Sequence, residues 1–170
     1  LALIPWLALL LAPYLTVPSQ RRNAVLFLPL GLLLAGNVLV HADLLGLWPG
    51  AARHGLWLGV YCLLFLITLI GGRVIPFFSR SVLPGAPIRV RGWVEALSVA
   101  TLAALVFTVF LPPEHLATRG VAAAAAVVHA VRWAGWFTPA VLRRPVLWIL
   151  YAGYGWLVAG FALLALLPGI

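Results

Sequence analysis

LWLGVYCLLFLITLI, residues 56–70, followed at once by GGRVIPFFSR, residues 71–80, decides the reading of this chain. The first fifteen residues hold no charge, and the character then changes within two positions. Gly71 and Gly72 carry no side chain, and Arg73 adds a fixed charge. Pro76 lacks the amide proton that an uninterrupted helix needs. Phe77 and Phe78 stand beside a second arginine, Arg80. A membrane helix that ends at a charged interface explains this order of residues. The helix is therefore expected to close at Gly71-Gly72, where the missing side chains permit close packing or backbone approach. Pro76-Phe77-Phe78 is expected to turn the chain along the interface.

Composition makes lipid the solvent. Of 170 residues, 65% are hydrophobic and 8% charged, whereas a soluble domain has about a quarter charged. The net charge of +8 comes from eleven arginines and no lysine. Such a charge in a soluble protein points to nucleic acid. Here the arginines fall between apolar runs and form no patch, so membrane topology explains them and nucleic acid is excluded as a partner. Cys62 is the only cysteine, which excludes a disulfide or thiolate cluster within the chain. The first residue is Leu1 and methionine is absent, so the sequence is expected to be a fragment of a longer protein. Its leading apolar segment has no basic start and does not read as a signal peptide.

Spanning a bilayer as a helix takes roughly 20 apolar residues, and about six stretches qualify. They are Leu1–Val17, Asn23 to about Leu45, about His54 to Ile70, Trp93–Leu111, Leu116–Trp136 and Pro145–Leu167. The expected fold is all-α, a polytopic helical transmembrane bundle forming one integral membrane domain over 1–170. Nine arginines lie in the first, third and fifth connections and two, Arg53 and Arg119, in the others. Positive charge stays on the cytoplasmic side. The arginine-rich connections are therefore expected to be cytoplasmic, in a bacterial inner membrane, with both ends of the chain facing outwards. Trp48, Trp93, Trp133 and Trp136 sit near predicted helix ends, where an indole anchors at the interface. Gly120 and Ala122–Ala126 offer a small-residue surface on which helices approach closely.

Soluble-enzyme motifs are absent, and the only acids are Asp43, Glu95 and Glu114. Polar residues at membrane depth are costly unless paired, solvated or used, so they carry the functional reading. His129 lies deep in the fifth span. Its imidazole either ligates a metal or donates to another helix, and lone buried histidines are usually satisfied locally. Arg132, one turn on, reaches a carboxylate or serves as an inside charge. Asn37 and His41 form an i, i+4 pair, with His41 as a metal ligand backed by Asn37 or as half of an interfacial pair. His54 and His115 fall in predicted outward loops and are weaker ligand candidates. Tyr151, Tyr154 and Trp148 line a pocket or sit at the interface. No two histidines have local metal-site spacing, so any site must be built between helices.

These residues support a resemblance. IGGRVIPFFSR, residues 70–80, closely resembles the signature of the NnrS family, membrane proteins associated with the response to nitric oxide. Arg22-Asn23 followed by Asn37 and His41, and Arg132-Trp133 through RPVLWIL at residues 144–150, are similar to family segments in the same order. The resemblance implies a longer polytopic protein that carries haem and copper and protects against nitrosative stress, with denitrification as its setting. It implies His129 and His41 as metal ligands. It also implies Arg73 and Arg132 as cofactor-binding residues, each anchoring a propionate, a carboxylate or carbonyls. At residue 151 a histidine is expected and Tyr151 stands instead, a side chain that itself ligates ferric haem in some proteins. The alternative is a cofactor-free transporter or channel-like bundle, suggested by the many prolines and glycines. Against it, acidic residues for proton or cation coupling are nearly lacking. A purely structural membrane subunit is a third reading.

Overall fold

The computed structural model describes residues 3–15, 27–112 and 114–167. Six α-helices follow one another: α1 Leu3–Leu15, α2 Phe27–Leu44, α3 Ala51–Val82, α4 Gly92–Phe107, α5 Leu116–Trp136 and α6 Pro145–Leu166. A single 3-10 turn extends α4 over Thr108–Phe110, and a second, Pro139–Arg143, precedes α6. No strand occurs among the described residues, so the fold is all-α. The expected start of the second helix at Asn23, with Arg21 and Arg22, lies outside the described residues.

Among the described residues four segments are long and apolar enough to cross a membrane: Phe27–Leu44, Ala51–Val82, Gly92–Phe110 and Pro145–Leu166. Six were expected. α1 contributes 13 described residues, and α5 carries Arg119, His129 and Arg132 within its length. Burial supports lipid as the solvent. Phe107 and Trp156 are 80% and 76% exposed, whereas Arg132 and His129 are buried. Large apolar side chains outside, with an arginine and a histidine inside, depart from the soluble pattern, because a polar group in lipid must find its partner within the protein.

The deciding stretch behaves differently from its reading. α3 does not stop at Gly71-Gly72; it runs on through Pro76 to Val82. The reason lies in the packing of the residues around and beyond the proline. Ile75, Pro76 and Ser79 are buried, and Ser79 Oγ is hydrogen-bonded to Tyr151 Oη at 3.0 Å. Tertiary contacts of this kind outweigh the ladder bond that a proline removes. The helix ends later, where Leu83 N donates to Ser79 O at 2.9 Å and Gly85 takes a φ of +83°, the left-handed conformation open to glycine. The connection to α4 is correspondingly short, residues 83–91.

The chain forms two compact units, Leu1–Leu66 and Ile67–Ile170. In the first, α2 meets the opening turns of α3 at Gly36 and Gly55. A Cβ built on Gly36 would stand 2.7 Å from the carbonyl oxygen of Gly55, and one on Gly55 would stand 2.5 Å from that of Gly36. Only glycines allow backbones so close, and van der Waals packing of this kind replaces the hydrophobic drive in lipid. The turn between them uses Gly46 and Gly50 at φ of 70° and 85°. Asp43 accepts from Gly50 N at 3.1 Å and Ala52 N at 2.9 Å, capping the start of α3 where amide protons lack partners.

In the second unit, α5 packs between α4 and α6. Its buried residues are Thr118, Ala122, Ala125, His129, Arg132 and Trp136, spaced alternately by four and three. That is one stripe along a helix. Of the small-residue surface expected at Gly120 and Ala122–Ala126, Ala122 and Ala125 occupy the stripe, whereas Gly120, Ala123 and Ala124 are exposed. Arg119 Nε donates to Ala165 O at 3.0 Å and so satisfies a carbonyl in the last turn of α6.

Candidate functional site

The α5 stripe changes from apolar to polar at His129 and Arg132, and the facing helices change with it. α4 brings Glu95 in its first turn and Ser98 one turn on. α6 brings Tyr151 and Tyr154, and the second half of α3 brings Thr68, Gly71, Gly72 and Ser79. All of these residues belong to Ile67–Ile170.

Arg132 is the hub. Its guanidinium makes a two-pronged ion pair with Glu95, Nε donating to Oε1 at 2.8 Å and Nη2 to Oε2. Nη1 donates to the backbone carbonyl of Thr68 at 3.0 Å and to Tyr154 Oη at 2.9 Å. The same group lies over the Trp136 ring, 5.0 Å from its centroid, a favourable place for a cation shielded from water. Bidentate pairing with further donors satisfied is the condition under which a buried ion pair is tolerated. Glu95 stays partly open, with its side chain 30% exposed against 3% for Arg132.

Gly72 makes room for this charge. A Cβ at residue 72 would overlap Arg132 Nη2 and stand 2.8 Å from its Cζ and 3.0 Å from Glu95 Oε2. At Gly71 a Cβ would come within 3.3 Å of the Tyr154 ring. The glycine pair therefore admits side chains from α5 and α6 and admits no backbone. Arg73, the arginine expected to anchor here, is exposed on α3, and the internal carboxylate goes to Arg132.

His129 is fully buried. Nδ1 and Tyr154 Oη are 2.7 Å apart, and the Phe161 ring covers the imidazole at 5.1 Å between centroids. The Ser98 backbone lies beside the imidazole, and Nε2 makes no well-formed hydrogen bond. Two tautomers suit this geometry. When Tyr154 donates its proton to Nδ1, Nε2 carries the imidazole hydrogen. When Nδ1–H donates to Tyr154 Oη, Nε2 presents a lone pair.

Tyr151 donates to Trp136 O at 2.6 Å and bonds to Ser79 Oγ, so its hydroxyl ties the end of α5 to α6 and α3. Trp133 Nε1 returns a bond to Tyr151 O at 3.0 Å. Trp136 is 1% exposed; it lies beneath Arg132 in the core and is no interfacial anchor. His115, expected in an outward loop, caps α5 by accepting from Ala117 N at 3.2 Å. His54 lies in the first turns of α3. His41 belongs to the first unit, its Nδ1 2.8 Å from the carbonyl of Asn37. Asn37 turns its amide to Leu33 O at 3.4 Å. Among the described residues no three His, Cys, Asp or Glu side chains gather as a metal-ligand group.

Glu95 and Tyr154 are the partners that sequence reading underused. A signal was present for both. Glu95 and Ser98 are three apart on α4, and Tyr151 and Tyr154 three apart on α6, so each pair shares a face. No curated protein and no solved structure matches the chain. The family model described as NnrS protein matches residues 1–168, and with nearly its whole length covered the chain belongs to the NnrS family.

Proposed function

We propose that this chain contributes to tolerance of nitric oxide and nitrosative stress, with His129 as the residue offering a ligand to haem iron or copper. The observation that carries the reading is the His129 imidazole, buried in a family member with one nitrogen held by Tyr154 and the other without a well-formed hydrogen bond. A metal-binding histidine needs that division of roles between its nitrogens. The donor chemistry fits one coordination position, in the tautomer where Nδ1–H donates to Tyr154. Arg132 keeps a positive charge near the imidazole and holds Tyr154 in place for it. Such a group, when bound, supplies a metal centre that coordinates a diatomic molecule such as nitric oxide. Tyr151 has its hydroxyl committed to Trp136 and Ser79, so it supports the fold around His129. His41, with Nδ1 on the Asn37 carbonyl, also keeps Nε2 for a ligand role.

The same reading places the protein in a bacterial inner membrane with its arginine-rich connections cytoplasmic, supported by nine arginines against two. Reporter fusions to successive connections test that orientation, and activity of a periplasmic reporter after Arg91 overturns it. For the cofactor, the full-length protein is purified from metal-replete cells and its absorption spectrum and metal content are recorded. Haem or copper at stoichiometric level is expected, and neither co-purifying removes the cofactor from the proposal. Loss of that content in His129→Ala is expected; unchanged content removes the assignment to His129. A deletion strain should grow more slowly under a nitric oxide donor and recover with the wild-type protein. Equal growth with and without the protein overturns the physiological role.

A further inference from the structure

Beside the buried network, at the arginine-rich end of the second unit, lies a pocket of about 460 Å³. Residues 86–91 form an irregular segment between α3 and α4, in which Ile88 N donates to Ala86 O at 2.8 Å in a tight turn at Pro87. Pro87, Arg89 and Arg91 all line the pocket. Ile88, between them, is buried and fastens the segment. Arg89 N donates to Gly135 O at 2.9 Å, and a Cβ on Gly135 would stand 3.1 Å from Arg89 O, so the segment lies tightly against α5. Apolar Val131, Trp136 and Phe137 line it too, as does Arg132.

The charges do not cancel. Glu95 lines the pocket, but its carboxylate is engaged by Arg132. Among the described residues the side chains of Arg89 and Arg91 have no hydrogen-bond or ion-pair partner. The pocket therefore holds two uncommitted guanidiniums together with aromatic and aliphatic side chains. Guanidiniums match phosphate oxygens in geometry and charge. An anion with an apolar neighbour, at the end of membrane-crossing helices, has the chemistry of a phospholipid headgroup.

We infer that this pocket binds the phosphate of an anionic phospholipid, with Arg89 and Arg91 on the phosphate and Val131 and Phe137 against the start of the acyl chains. Glu95 and Arg132 are shared with the network around His129, but the phosphate contacts fall on Arg89 and Arg91, and the test uses no metal.

The full-length protein in neutral detergent is titrated with short-chain phosphatidylglycerol, with phosphatidylcholine of the same chain length, and with inorganic phosphate. Bound lipid is counted by native mass spectrometry. One phosphatidylglycerol is expected to be retained in preference to phosphatidylcholine. Arg89→Gln/Arg91→Gln should weaken it on the order of tenfold or more, since each basic residue near a membrane contributes about 1 kcal/mol. Arg89→Lys/Arg91→Lys should keep most of the binding. Both arginines are exposed, so neither variant disturbs the core. Equal retention of the two lipids, or no change in the Gln variant, overturns the site. Displacement by inorganic phosphate at the concentration that suffices for phosphatidylglycerol overturns the lipid as its source.

Discussion

In Leu1–Leu66, α2 and α3 meet through bare backbone at Gly36 and Gly55, and most of the buried side chains there are apolar, with Tyr61 among them. In Ile67–Ile170 the helices meet through side chains, and buried Thr68, Ser79, Ser98, Thr108, Thr118, His129 and Arg132 all lie there, with the hydroxyls of Tyr151 and Tyr154. Both arrangements answer the same difficulty. Lipid offers helices no hydrophobic reason to associate, so contact must come from close packing or from polar groups that have no other partner. A glycine crossing gives proximity and nothing chemical. A polar crossing costs desolvation and must be fully paired, but it leaves ionisable groups and a histidine held in fixed positions. Among the described residues, the buried ion pair and the buried histidine therefore lie in the second unit.

Removing the charge at the centre should separate the two designs most sharply. Arg132→Leu leaves the Glu95 carboxylate without its partner. It should destabilise the protein by about 3–5 kcal/mol, the usual cost of breaking a buried pair, measured as a loss of the unfolding midpoint in detergent. Arg132→Leu with Glu95→Leu should recover most of this, and a double variant as unstable as the single would show that the pair is not the source. In the first unit, Gly55→Ala drives a methyl into the Gly36 carbonyl and should cost about 1–3 kcal/mol by overpacking. Gly31→Ala, where a Cβ meets nothing within 4 Å, should cost nothing, because alanine is the better helix former. Equal effects at the two positions would end the backbone-crossing argument.

The same comparison within the second unit sets Gly72→Ala against Gly120→Ala. At Gly72 the methyl displaces the guanidinium, a side-chain tip that yields more readily than backbone, so a cost of about 1–2 kcal/mol is expected, within the usual overpacking range. At Gly120, with open space around it, the change should be neutral or slightly stabilising. The smallest effect is expected from Tyr151→Phe. It removes the hydroxyl from Trp136 O and Ser79 and should cost about 1 kcal/mol, the net value of a typical hydrogen bond. A midpoint unchanged in Tyr151→Phe would mean that the hydroxyl is dispensable to the joint between α5 and α6.

The helical membrane class was legible because hydrophobic length and lack of charge act locally, residue by residue. The limits of α5 and α6 were equally legible, since Pro145 starts one and Phe137-Thr138-Pro139 ends the other. Pro76 was misleading for the opposite reason. A proline's effect on its own helix is local, whereas the burial of Ile75 and Ser79 that carries α3 past it depends on other helices. His129 and Arg132 stood out as polar residues at membrane depth, and their spacing put them on one face. Their partners did not follow from that spacing. Glu95 is 37 residues from Arg132 and Tyr154 is 25 from His129, and periodicity within a helix says nothing about which helix it faces.

The sequence by itself determined that the chain is helical, has helices apolar enough for lipid and belongs to its family. Tertiary structure alone decided which arginine the glycines serve. Gly71-Gly72 is followed by Arg73 in the chain, yet the guanidinium that fills the space at Gly72 is that of Arg132. The physical reason is distance in lipid. A charge there is stable only where a carboxylate, carbonyls and an aromatic face converge, and Glu95, Thr68, Tyr154 and Trp136 converge on α5.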